Sequence, residues 1–125
     1  MKIVLVALGG ASGAILRYLI NIFCKDWSFL HIPLSTTFIN CLGCFLIGIF
    51  SVLLIQQEYA NYRLLLITGF CGGFTTFSAF AMEQKNLMES KMFGQQILHL
   101  ALNNILGIIF VLLGYYIAQK IWLYE

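Results

Sequence analysis

The stretch from Gly69 to Phe80 decides the fold and reads Gly-Phe-Cys-Gly-Gly-Phe-Thr-Thr-Phe-Ser-Ala-Phe. It lies in an apolar segment, yet paired glycines followed by two β-branched threonines are poor helix interior. We therefore predict a membrane helix that is broken near Gly72 to Thr76. Lipid cannot satisfy the freed carbonyls, so the break must be buried in protein or hold a ligand. Such carbonyls suit a small hard cation such as Na⁺, and a packing kink without an ion is the alternative.

The rest of the chain is as apolar as this stretch. Of its 125 residues, 61% are hydrophobic and 10% are charged, whereas a soluble domain carries about 25% charged residues. A helix needs about 20 apolar residues to cross a lipid bilayer. We predict one all-α membrane domain over residues 1–125 with no room for a soluble part. Its four transmembrane helices are predicted at approximately 3–23, 33–55, 64–82 and 97–117.

Two other classes are disfavoured by composition and by the N-terminal segment. A net charge of +2 is too small to indicate a nucleic-acid partner. The first apolar segment shows no small-residue cleavage site before a polar mature chain, so we interpret it as a span rather than a signal peptide. We expect a multi-pass protein of the cell (plasma or inner) membrane.

The cysteines and histidines do not have the spacing of a metal centre. Cys41 and Cys44 form a C-x-x-C inside an apolar segment, without a second pair, and we interpret them as small packing residues. His31 and His99 lie far apart in the sequence. We assign no metal site to them.

Positive charge in the short loops, which normally sets orientation, shows no bias. Four spans place both termini on one side of the membrane, and Arg17 lies inside the first span. The balance permits insertion in both orientations and hence an antiparallel dimer, whereas a weak bias settled by other signals is the alternative. The count is three against three: Lys2, Arg63 and Lys120 on the terminal side, and Lys25, Lys85 and Lys91 on the other.

The first span combines small residues with a buried charge. Gly9 and Gly13 form a G-x-x-x-G pattern that predicts close approach of a second helix. Arg17 follows one turn later, and an arginine in hydrocarbon is costly unless it snorkels or pairs. Arg17 either snorkels to the interface or contributes to a positive vestibule that concentrates an anion.

Asparagines in the second and fourth spans are further candidates. Asn40 lies in the middle of span two, where its amide either forms an interhelical hydrogen bond or lines an anion path as a donor. Asn103 and Asn104 in span four present the same two possibilities.

The residues that follow the predicted break combine aromatic rings with hydroxyls. Phe77 and Phe80 are three apart and share one helix face, with Thr76 and Ser78 nearby. Phenylalanines in a membrane helix usually face lipid. A ring edge is electropositive, however, and these rings are also suited to contact a small anion.

Three motifs in the chain resemble those of the CrcB/Fluc family of fluoride channels, and together they span most of the sequence. The third motif is highly specific. The resemblance implies a fluoride-selective passive channel that exports fluoride from the cytoplasm and protects against its toxicity. It also implies a dual-topology, antiparallel homodimer with two pores. The motifs are Gly9-Gly10-x-x-Gly13-Ala14-x-x-Arg17-Tyr18, Asn40-x-x-Gly43-x-x-x-x-Gly48 and the stretch Gly69–Phe80.

The same resemblance implies roles for individual residues. A structural Na⁺ at the dimer centre would be held by backbone carbonyls of Gly72 and Thr75. The fluoride pore would be lined by Phe77, Phe80, Asn40, Ser78 and Thr76, with Arg17 at the vestibule and Glu83 and Asn103 as weaker candidates. The chain departs from the family pattern at Ala79, Ala81 and Gly107, where members often carry hydroxyl residues.

Other classes of membrane protein fit less well. A small multidrug exporter depends on a glutamate in span one, whereas this span has no acid and carries Arg17. A structural subunit without transport activity is disfavoured, because polar groups in the middle of a membrane cost free energy and such a subunit would not need them. An enzyme is disfavoured because no nucleophile–base pairing stands out, and no nucleotide-binding loop indicates a pump. A partner subunit encoded separately stays an alternative to the homodimer.

Overall fold

The computed structural model describes residues 1–122 and is almost entirely helical. Four stretches are long and apolar enough to cross a bilayer, namely Lys2–Phe23, Leu34–Leu53, Gln57–Glu89 and Phe93–Trp122. The chain is therefore a multi-pass membrane protein, as its composition predicts. The elements are α1 (Lys2–Phe23), β1 (Ser28–Phe29), β2 (Ile32–Pro33), α2 (Leu34–Leu53), a 3₁₀ turn (Gln57–Tyr59), α3 (Ala60–Arg63), a π-helix (Leu64–Cys71), α4 (Gly72–Phe74), α5 (Phe77–Glu89) and α6 (Phe93–Trp122).

The third span, from α3 to α5, is a composite of several helix types. Its first half is a π-helix over Leu64–Cys71, a wide form that usually occurs as a single turn. Thr75 and Thr76 then adopt extended backbone, with φ/ψ of −75°/156° and −147°/113°. This interruption lies within the predicted region, but at the two threonines, since Gly72–Phe74 is still helical.

Helix also covers two polar segments that lie outside the predicted bounds of this span, 64–82. The sequence from Gln56 to Arg63, predicted as a loop, contains the 3₁₀ turn and α3. At the other end α5 continues beyond Met82 to Glu89. Glu83 therefore lies on a continuous helix that begins at Phe77, which fixes its position relative to Phe80 one turn earlier.

A two-stranded hairpin joins α1 to α2. Its strands pair antiparallel with Ser28 opposite Pro33, and Leu30 and His31 form the turn with positive φ values of 50° and 67°. Ile32 is fully buried and anchors the hairpin. The hairpin thereby places His31 at the end of the molecule where α5 carries Glu83.

Glycines bring α1 against the third span at backbone distance. We call Gly9, Gly13, Gly69 and Gly73 the glycine seam. A Cβ atom added to Gly9 would lie 2.8 Å from the Phe70 nitrogen, closer than real Cβ atoms approach. The contact agrees with the close approach that the G-x-x-x-G spacing predicts. At the four glycines of the seam there is no space for a side chain between α1 and the third span.

Candidate functional site

Asn40 bridges the interruption of the third span. Its Oδ1 accepts from the Thr76 backbone N–H at 2.9 Å, and its Nδ2 donates to the Thr76 carbonyl at 3.3 Å. An amide side chain offers both a donor and an acceptor, as a peptide group does. Asn40 thus supplies the two hydrogen bonds that extended backbone at Thr76 would otherwise lack.

Asn40 also belongs to a wider network that we call the polar ladder, made of Thr37, Asn40, Thr76 and Asn103. The Nδ2 of Asn40 lies 3.2 Å from Asn103 Oδ1. Asn103 Nδ2 donates to Thr37 Oγ1 at 2.8 Å. The ladder joins α2, the third span and α6 in the middle of the molecule. It brings together Asn40, Thr76 and Asn103, three of the residues that the sequence singles out.

Thr76 and Ser78 place hydroxyls at the start of α5. The Thr76 hydroxyl caps this helix by accepting from the Ala79 N–H at 3.2 Å, the arrangement that Thr favours at an N-cap. Its oxygen lies 3.3 Å from Ser78 Oγ. The two hydroxyls are therefore adjacent, although Ser78 is exposed.

Phe77 and Phe80 lie side by side but differ in exposure. Their ring centroids are 5.7 Å apart, and both rings line a cavity of about 270 Å³ with Asn40, Thr76 and Asn103. Phe77 is 79% exposed, whereas Phe80 is 6% exposed. We call this space the midspan cavity. Phe80 forms its inner wall and Phe77 its rim.

The interruption frees carbonyl groups from their helical partners, those of Gly72 and Thr75 among them. In an α-helix the Gly72 carbonyl would accept from the Thr76 N–H, and the Thr75 carbonyl from the Ala79 N–H. Here Thr76 N–H donates to Asn40 and Ala79 N–H donates to the Thr76 hydroxyl. The oxygens of Gly72 and Thr75 therefore fit the chemistry of a hard cation, which takes oxygen ligands.

A second and larger space, which we call the vestibule, lies at one end of the molecule. Its volume is about 440 Å³, and Lys25, His31 and Glu83 are among the residues that line it. Asn86 and Ser90 add polar groups from the end of the third span and the turn that follows it. The vestibule therefore has a lysine and a histidine from the α1–α2 connection and a carboxylate from α5.

Glu83 and His99 lie between the vestibule and the midspan cavity. The Thr36 hydroxyl donates to Glu83 Oε1, and Glu83 Oε2 lies 3.5 Å from His99 Nε2. The His99 ring is fully buried and packs against Phe80, with centroids 5.2 Å apart. A continuous line of side chains thus runs from the vestibule through Glu83 and His99 to Phe80.

His99 was missed by the sequence analysis, which weighed it only as a metal ligand. Its carbonyl accepts from Asn103 Nδ2 at 3.3 Å, so the two residues lie on one face of α6. Residues four apart share a helix face, and His99, Asn103 and Gly107 follow this spacing in an apolar helix. That spacing is the signal that could have identified His99.

Two other predicted positions lie apart from the polar ladder. Arg17 is half-buried on α1 and lines neither the vestibule nor the midspan cavity. Asn104 is exposed, and its Nδ2 donates to the Leu100 carbonyl of its own helix at 2.8 Å. Asn104 does, however, lie at the rim of the midspan cavity.

The fold and this site together define a small multi-pass membrane protein whose spans enclose a line of polar groups. Polar side chains in apolar spans mark ion or substrate pathways in this class. The family model described as CrcB-like protein, Camphor Resistance (CrcB), matches residues 4–115. The chain belongs to this family.

Individual relatives agree with the family match. A protein of Azobacteroides pseudotrichonymphae genomovar. CFP2, named fluoride-specific ion channel FluC, is 38% identical over 120 residues, which are 94% of this chain and 96% of the relative. A protein of the same name from Hydrogenobaculum sp. (strain Y04AAS1) is 40% identical over 120 residues, covering 94% and 98% of the two chains. These relatives are named as ion channels and not as enzymes.

Proposed function

We propose that the chain is a fluoride-selective passive channel of the inner membrane that exports fluoride from the cytoplasm. The observation that carries this proposal is the polar ladder. The ladder borders the midspan cavity that Phe80 also lines, and it lies in a chain related to proteins named fluoride-specific ion channels. Non-helical backbone at membrane depth is tolerated where it is buried in protein or lines a cavity, and this interruption borders the midspan cavity.

The donors of the ladder have the chemistry that a small, strongly hydrated anion requires. Fluoride that leaves water loses its hydration shell, and the protein must replace those hydrogen bonds. Asn40 and Thr76 of the ladder provide N–H and O–H groups at the midspan cavity, and Ser78 adds a hydroxyl next to Thr76. The ring edges of Phe77 and Phe80 carry positive partial charge and supplement these donors weakly. Larger and softer anions gain less from such contacts.

Passive export follows from the chemistry of fluoride and from the membrane potential. Fluoride enters cells as neutral HF and is trapped as the anion at neutral pH. A negative-inside potential drives an anion outward by about 2.3 kcal/mol per 100 mV. A channel is therefore sufficient to lower cytoplasmic fluoride and protect the cell.

We propose further that two copies assemble as an antiparallel, dual-topology homodimer. Asn104 and the rim residue Phe77 are exposed beside the midspan cavity, where lipid would meet a polar opening. Burial of such an opening against protein is favoured because lipid cannot hydrate it. The balanced loop charge supports insertion in both orientations.

A structural Na⁺ at the dimer centre would compensate the freed carbonyls of Gly72 and Thr75. We expect the purified protein to be a dimer in detergent and to unfold at a lower temperature when Na⁺ is replaced by choline. Unfolding curves that coincide in the two media would remove the Na⁺ proposal. A protein that sediments as a monomer at all concentrations would remove the dimer.

Fluoride efflux from liposomes that contain the purified protein tests the function. We expect rapid efflux under valinomycin, recorded with a fluoride electrode, while chloride is retained. Phe80→Ile should abolish fluoride efflux in a correctly assembled protein because it removes the aromatic wall. Phe38→Ile, a matched change at an exposed ring on α2, should leave efflux unchanged.

Two results would contradict the proposal. Dimeric wild-type protein that releases no fluoride is not a fluoride channel. Phe80→Ile protein that conducts at the wild-type rate would leave the channel standing but exclude the role of the ring.

A further inference from the structure

We infer that Glu83 and His99 form a proton-binding pair that sets the charge at the inner end of the vestibule, so that fluoride flux rises on acidification. The inference rests on the proposed function, and it concerns a regulatory property of the same path. It starts from two buried polar atoms. Neither Glu83 Oε2 nor His99 Nε2 has a hydrogen-bond partner within residues 1–122, and they lie 3.5 Å apart.

The remaining contacts of the pair fix its orientation. The amide nitrogen of Gln84 lies 3.2 Å from His99 Nδ1, and an amide NH₂ can only donate. In neutral His99 the proton is therefore on Nε2, the ring nitrogen that lies 3.5 Å from Glu83 Oε2. The second carboxylate oxygen is held by the Thr36 hydroxyl. Both side chains are thus held in place beside Phe80.

No other charged group faces His99 closely within the part of the chain that the structure describes. Glu83 on α5 is its single ion-pair partner among residues 1–122. The facing helix α2 presents hydroxyls and carries no charged residue, and α6 itself has Lys120 as its one charge, far along the helix. Lys85 on α5 pairs instead with Glu89. On the hairpin side, Lys25 and His31 line the vestibule together with Glu83.

The net charge of the Glu83–His99 pair determines whether the pair repels a nearby anion. With Glu83 ionised and His99 neutral, the pair carries one negative charge between the vestibule and Phe80 and opposes fluoride. Uptake of one proton from vestibule water cancels that charge, whichever of the two atoms holds the proton. Bound fluoride and the bound proton therefore stabilise each other, and the coupling is reciprocal.

The functional test compares fluoride efflux at about pH 5 and about pH 8, the range in which an imidazole changes charge. Both sides of the membrane are buffered at the same pH, and HF leak is subtracted with protein-free liposomes. We expect wild-type flux to be at least about fivefold higher at the lower pH, a typical size for such coupling. His99→Gln should lose the dependence, whereas His31→Gln should retain it.

A second test measures proton binding and leaves the buried His99 unchanged. The chain has two histidines, so His31→Gln leaves His99 as the single imidazole of protein purified without a histidine tag. Titration of that imidazole by NMR should show a midpoint that moves to higher pH when sodium chloride is replaced by sodium fluoride. A midpoint that fluoride does not move would overturn the inference.

The outcomes separate this inference from the proposed function. Wild-type flux that is equal at both pH values, or His99→Gln flux that keeps the dependence, overturns the proton-binding pair and leaves the fluoride channel intact. Absence of fluoride efflux at every pH would overturn the channel and, with it, this inference.

Discussion

The glycine seam and the polar ladder hold the same third span in opposite ways. At the seam, backbone lies against backbone without intervening side chains, and a Cβ on Gly13 would lie 2.8 Å from the Phe74 nitrogen. At the ladder, Asn40 reaches the backbone through a side chain and borders an open cavity. Gly73 of the seam and Thr76 of the ladder are only three residues apart. The tight contact therefore positions the helix whose other face is left interrupted and polar.

The largest expected effect comes from breaking the ladder. Asn40→Ala removes both hydrogen bonds to Thr76 and the one to Asn103, and it leaves a buried N–H without a partner. Such a group costs about 1–3 kcal/mol, and about 1.4 kcal/mol corresponds to tenfold in rate. We expect fluoride efflux to fall more than about tenfold, while the dimer persists on size-exclusion chromatography because the glycine seam is intact.

Asn61→Ala is the control for that change, since Asn61 is exposed on α3. It should conduct at the wild-type rate. If Asn40→Ala conducts as well as Asn61→Ala, the ladder has no part in permeation.

A second prediction addresses the seam with two neighbouring glycines. A Cβ on Gly9 collides with the third span, whereas a Cβ on Gly10 would meet the Gly69 carbonyl at an ordinary 3.8 Å. Gly9→Ala should lower the free energy of unfolding by about 1–3 kcal/mol, the usual cost of overpacking. Gly10→Ala should be close to neutral. Thermal unfolding in detergent measures both, and equal behaviour of the two variants would mean that the seam is not tightly packed.

The smallest predicted effect lies at the outer end of the ladder. Thr37→Val keeps the shape of the side chain but removes the acceptor for Asn103 Nδ2, which retains the His99 carbonyl. Loss of one hydrogen bond costs about 1 kcal/mol, so efflux should fall about fivefold. Thr68→Val on the exposed side of the π-helix is the matched control. Identical flux in both variants would place Thr37 outside the path.

The sequence was sufficient for the membrane class and for the residues around the interruption. Apolar length predicts the spans, and the glycine and threonine pairs predict where regular helix fails. The π-helix over Leu64–Cys71 was not predicted, because nothing in this apolar run distinguishes it from an ordinary α-helix. The roles of individual residues stay predictions, both at Na⁺ and in the pore or vestibule. These residues are Gly72 and Thr75 for Na⁺, and Phe77, Phe80, Asn40, Ser78, Thr76, Arg17, Glu83 and Asn103 for the pore and vestibule.

The other features that the sequence did not predict are contacts between residues far apart in the chain. The Thr36–Glu83 contact joins residues 47 apart, and nothing local in either segment indicates it. Asn103 and Asn104 looked equivalent as neighbours, yet Asn103 enters the ladder and Asn104 is exposed. The choice between them depends on the rotation of α6 against α2, which is a tertiary property.

The π-helix that precedes the interruption has a consequence for chain length. The segment Leu64–Cys71 follows the i→i+5 spacing of a π-helix instead of the i→i+4 spacing of an α-helix. Deleting one residue between Arg63 and Thr75 would therefore change the rotation of the interruption relative to Asn40. Gly69 and Gly73 would lose their register with α1 at the same time. Insertions and deletions in this segment therefore alter the geometry of the site even when every side chain near it is kept. The number of residues here is as much a determinant of the site as the identity of Asn40.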